Sequence, residues 1–81
     1  MLDVKQAAER AVDYMRTLPA QGDVRDVVLE EAELSEDERY WFITLSYVQG
    51  ATFLAATRRY RTFRIEAATG RVVSMKLREV K

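Results

Sequence analysis

With 81 residues, no cysteine and no histidine, the chain has room for one domain, residues 1–81. It lacks the thiolate and imidazole on which disulfides, iron–sulfur clusters, Ser-His-Asp and Cys-His catalysis and most zinc sites depend. Its 13 basic and 13 acidic residues cancel overall, yet residues 1–50 carry 5 basic against 11 acidic groups and residues 51–81 carry 8 against 2. Halves of opposite sign either neutralise one another across neighbouring rungs of a sheet or mark a surface where chains meet.

Asp3 followed by Gln6 forms a capping-box pattern, so a helix is expected to begin there. Val4, Ala7, Ala8, Ala11, Val12, Met15 and Leu18 recur at three- and four-residue spacing and define one apolar stripe, while Lys5, Glu9, Arg10, Asp13 and Arg16 fall elsewhere. Pro19 cannot continue the helix, and Gly22 with Asp23 completes the exit, so the helix ends near Leu18. Its alanines allow close approach to a sheet whose strands must supply the bulk of the core.

Residues 24–34 read as a strand whose inward face is ambiguous, because Val24, Val28, Ala32 and Leu34 alternate with one another but not with Val27 and Leu29. Ser35 to Glu38 is a polar connection. Residues 39–48 alternate strongly, Trp41, Ile43, Leu45 and Tyr47 against Tyr40, Phe42, Thr44 and Ser46, and Trp41, Ile43 and Leu45 are expected in the core. Between Gln49 and Thr57 the apolar pair Phe53 and Leu54 requires cover, from the chain's own core or from a second subunit. A third strand over 58–66 and a fourth over 71–80 are joined by Ala67 to Gly70, with Gly70 suited to a left-handed turn position. Phe63, Ile65, Val73, Met75 and Leu77 are the expected inward residues of that hairpin, with Tyr60, Thr62 and Val72 outward. The fold class is therefore α+β: one N-terminal helix packed on a four-stranded antiparallel meander sheet.

The stretch RRYRTFRIEAATGRVVSMKL, residues 58–77, combines an aromatic-rich strand, an acid, a TG turn and a second apolar strand. It resembles the terminal hairpin of PepSY-type domains, small helix-plus-sheet modules found beside peptidases and in bacterial envelope proteins. Glu66 stands where that family commonly has Asp, and Thr69 and Gly70 match the turn. The resemblance implies a cystatin-like helix-on-sheet shape and a regulatory or inhibitory role toward peptidases, without catalysis, and makes Glu66, Thr69 and Gly70 turn-forming residues.

No catalytic, cofactor-binding or metal-binding residues are expected. Ser35, Ser46 and Ser74 have no histidine to activate them. Glu30, Glu31, Glu33, Glu36, Asp37 and Glu38 lack the glycine-punctuated spacing of a calcium loop and read as a solvated acidic edge that discourages aggregation. Arg58, Arg59, Arg61, Arg64, Arg71, Lys76 and Arg78 flank Tyr60 and Phe63, a pattern compatible with nucleic-acid binding, but alternation divides them between two faces. Arg64, Lys76 and Arg78 point away from the helix, Arg59 and Arg61 toward it. With zero net charge, nucleic acid is not the expected partner.

The aromatics Tyr40, Phe42 and Tyr60 on the sheet face away from the helix, together with Phe53, Leu54 and Arg64, form the candidate interaction surface. The functional expectation is a non-catalytic protein- or peptide-interaction module, self-associating as a homodimer through the sheet. No apolar run reaches the ~18 residues of a membrane span, and MLDVKQAAER has no signal-like apolar core. A cytoplasmic protein with no membrane partner is expected.

Overall fold

A computed structural model of the chain describes residues 1–17, 24–49 and 57–78. It places helix α1 at Val4–Thr17 and four strands at Val24–Leu34 (β1), Tyr40–Gln49 (β2), Thr57–Glu66 (β3) and Val72–Arg78 (β4). The strands form one antiparallel sheet in the order β1-β2-β3-β4, so the meander is as expected and β1 and β4 are its edges. Leu18, Pro19, Gly22, Asp23, Phe53, Leu54 and Val80 lie outside the described residues. Among those described, no helix is long and apolar enough to cross a membrane.

The helix starts where the capping box puts it. The Gln6 amide donates to Asp3 Oδ1 at 2.8 Å and the Asp3 amide donates to Gln6 Oε1 at 2.9 Å, so each satisfies a backbone donor of the other. Ala7, Ala11 and Met15 are buried at four-residue spacing and seat the helix on the sheet. Val12 and Leu2 are half-buried against the same core, whereas Val4, at the exposed first turn, is not. Methyl side chains at Ala7 and Ala11 let the helix axis come down close, and the volume comes from Ile43, Leu45, Tyr47, Phe63 and Ile65. Tyr14 extends this packing by meeting the Phe63 ring edge-on, with centroids 6.3 Å apart and planes at 79°.

Trp41 closes the opposite end. Its indole Nε1 donates to the Leu2 carbonyl at 3.0 Å, the Leu2 amide donates to the Ala67 carbonyl at 2.8 Å, and the Ala67 amide donates to the Arg39 carbonyl at 2.8 Å. The chain before the helix is thereby tied to the β3–β4 turn. In that turn Gly70 has φ of 80°, and a Cβ there would stand 3.0 Å from Leu2 Cδ1 and 3.1 Å from the Arg10 guanidinium. Both the conformation and the space call for glycine.

Two strands depart from simple alternation. In β4, Ser74 pairs with Arg64 while Val72 pairs with Ile65, so Val73 is an extra residue in a bulge. The bulge reverses the expected assignment: Val72 packs on the core and Val73 is exposed. Leu77 keeps its expected side but lies at the strand end, beyond the helix's cover, and remains 53% exposed. In β1 the register shifts twice, between Arg25 and Val28 and between Leu29 and Glu31. Asp26 takes φ of 54° in the first irregularity, a left-handed conformation that Asp tolerates better than most residues. The shift at Glu30 resolves the ambiguous inward face. Leu29 pairs with Leu45 before it, and Ala32 and Leu34 pair with Ile43 and Trp41 after it, so all three stand on the helix side.

Candidate functional site

The face away from the helix is roofed by the chain's own long side chains. Ser46 is fully buried and Thr44 is 3% exposed, although no described helix or strand packs over them. Ser46 Oγ donates to Glu30 Oε2 at 2.6 Å and accepts from Arg58 Nη1 at 2.7 Å, while the same guanidinium donates to the Asp26 carbonyl at 3.3 Å. Thr44 and Thr62 share a hydrogen bond of 2.9 Å. These short residues leave a trough across which Arg78, from the opposite edge of the sheet, forms an ion pair with Glu31 and reaches Thr44 Oγ1 at 3.5 Å. One acid of β1 and one base of β4 thus pair across β2 and β3 within one chain, and Ser46 bridges Glu30 of β1 to Arg58 of β3.

This arrangement divides the candidate aromatics. Tyr40 and Phe42 are neighbours on one face of β2 and share the Arg64 guanidinium, 4.2 Å from the Tyr40 ring centroid and 5.9 Å from that of Phe42. Arg39 lies 5.7 Å from the same Tyr40 ring. Tyr60 pairs with Ser46, on the far side of the Thr44–Thr62 rung, and is half-buried there. The three aromatics therefore do not form one patch. Arg61 points to the helix side, as expected from alternation, and donates from Nε to the Tyr47 hydroxyl. Phe53 and Leu54 lie outside the described residues.

The connection at Ser35 to Glu38 is equally self-contained. Asp37 Oδ1 accepts from the Ser35 hydroxyl at 2.7 Å and from the Arg39 amide at 3.1 Å. These two bonds hold the Asp37 carboxyl below the usual aspartate range. Ser35 Oγ accepts in turn from the Tyr40 amide at 3.1 Å. Among the described residues no group of three or more His, Cys, Asp or Glu side chains is placed to hold a metal ion.

The surface that lacks a lid is β1. Ten of its 11 residues are exposed, and only Leu34 is half-buried. The helix sits mainly over β2, so a groove runs between its outer flank and β1, lined by Ala8, Val12, Val27, Leu29 and Leu45 and rimmed by Lys5, Glu9, Asp13 and Arg16. Leu29 is 46% exposed in its wall. Beyond it runs the outer edge of β1, with which no described strand pairs, the kind of edge to which an extended segment can add. Asp26, Glu30, Glu31 and Glu33 make the strand acidic.

Val27 and Leu29 were not among the residues singled out from sequence. The signal was the failure of β1 to alternate, which belongs to a bulged edge strand and not to a central one. No protein-family model, no curated protein and no solved structure matches this chain.

Proposed function

We propose that this chain is a non-catalytic interaction module that receives an extended polypeptide segment along the outer edge of β1. The observation that carries this reading is the combination at β1 of a long edge, with which no described strand pairs, and an apolar groove beside it. Backbone hydrogen bonds of an added strand supply affinity, and alternate side chains entering the groove at Val27 and Leu29 supply selectivity. The face away from the helix is the weaker candidate, because its polar and aromatic residues already have partners within the chain. The absence of cysteine supports a reducing, cytoplasmic setting.

An amide-resonance titration with an octapeptide alternating valine and lysine tests this directly. Shifts confined to β1, Ala8 and Val12, and abolished by Leu29→Lys, are the expected result. Shifts centred on Tyr40 and Phe42, or none at any residue, would refute it.

A second reading is regulation of a peptidase in the manner of PepSY-type modules. It draws on the helix-on-sheet outline and on the terminal hairpin, where Thr69 Oγ1 donates to Glu66 Oε1 at 2.6 Å and the Gly70 amide donates to the Glu66 carbonyl at 2.8 Å. Indifference of a panel of metallopeptidases to the purified protein would remove it.

A further inference from the structure

We infer that the strand received at β1 is β4 of a second copy of this chain, joined head to tail. This rests on the edge-binding reading above and names its occupant. The two edges of the sheet are complementary in chemistry. Along the regular part of β4, after the Val73 bulge, Lys76 and Arg78 stand on the face away from the helix and Met75 and Leu77 on the helix side. Along the regular part of β1, after the Glu30 bulge, Glu31 and Glu33 stand on the former face and Ala32 and Leu34 on the latter.

Direction matches as well. In a meander with an even number of strands the two edge strands run antiparallel, so a copy added at the end of the sheet continues the antiparallel ladder with every helix on the same face. A register placing Glu33 beside Lys76 of the second copy also places the small, exposed Ala32 beside its Leu77, while Glu31 and Arg78, already paired within each chain, fall next to one another across the junction. The exposed Leu77 then meets β1 next to the groove wall at Leu29, and both lose water. Neither Glu33 nor Lys76 has an ion-pair partner among the described residues, so both charges are free to meet across the junction. Pairing of β1 with a second β1 would set glutamates against glutamates, which the same charges oppose. The junction is heterologous: each copy uses a different edge, and assembly proceeds to rings or open chains instead of stopping at a symmetric pair.

The test is a charge swap read by light scattering and sedimentation across a concentration series in low salt. Wild-type protein is expected to grow in mass with concentration and to dissociate as salt is added. Glu33→Lys alone and Lys76→Glu alone should each weaken association by about tenfold or more, since like charges then face each other at every junction. An equimolar mixture of the two variants, and the double variant E33K/K76E, should recover it, because every junction is again of opposite sign. Circular dichroism of each variant establishes that the fold is intact.

A wild-type chain that stays monomeric throughout would overturn the inference, as would single variants that associate like wild type or a double variant that fails to recover. If the wild type is monomeric while the valine–lysine octapeptide still shifts the β1 amides, the edge reading stands and only the second copy is excluded. If neither occurs, both fall.

Discussion

Gly70 shows how one backbone conformation carries a tertiary contact. Its φ of 80° is accessible to glycine at little cost, and the missing side chain is where Leu2 and Arg10 pack on the turn. Gly70→Ala adds about 1–2 kcal/mol of left-handed strain and displaces Leu2, whose backbone anchors the helix start. Urea denaturation should show a loss of at least that size, with Ala68→Gly, at an exposed position of the same turn, as the mild control. The capping box of Asp3 and Gln6, the inward residues Ile43 and Leu45, and Gly70 were all legible in the sequence, because each depends on neighbours within a few residues or on strict alternation. The fate of Ser46 was not. Its alternation marks it as outward, yet it is fully buried, since cover comes from Glu30 and Arg58 on two other strands.

At the scale of the element, the inward faces of the strands that obey alternation were legible, whereas that of β1 stayed open and Val72 and Val73 of β4 were assigned in reverse. A bulge inserts one residue and exchanges the faces on either side of it, and nothing in the run Val72, Val73 marks which valine is the extra one. The contrast gives a sharp prediction. Val73→Lys replaces an exposed side chain and should change stability by less than about 0.5 kcal/mol. Val72→Lys forces a charge against Ile65 and the core and should cost about 2 kcal/mol or more. Equal effects in thermal melts would place the bulge elsewhere. In β1 the same physics hid the groove, because the irregular spacing of Val24, Val27, Val28 and Leu29 made the strand look poorly formed when it is in fact a bent edge.

For the whole molecule, the opposed charges of the two halves were evident from composition, but whether they meet within or between chains depends on strand order. The order β1-β2-β3-β4 sends the acidic strand to one edge and the basic strand to the other, and the short Thr44 and Thr62 side chains let Arg78 cross between them. Arg78 and Glu31 are both about half exposed, so their contribution is small. A double-mutant cycle with Arg78→Ala and Glu31→Ala should give a coupling of about 0.2–1 kcal/mol that shrinks in high salt. A much larger coupling would mean that the pair is shielded by another subunit. The aromatics Tyr40, Phe42 and Tyr60 illustrate the remaining limit of composition: side chains of one type on one face are not one surface once an arginine and a threonine pair stand between them.

The bond from the Trp41 indole to the Leu2 carbonyl has an optical consequence. Trp41 is the only tryptophan in the chain, and its polar atom is satisfied by the segment that leads into the helix. Release of that segment exposes the indole to water while the sheet around Ile43 and Phe63 can remain assembled. The intrinsic fluorescence of the protein is therefore a built-in gauge of helix docking, separable in principle from the far-ultraviolet signal of the strands.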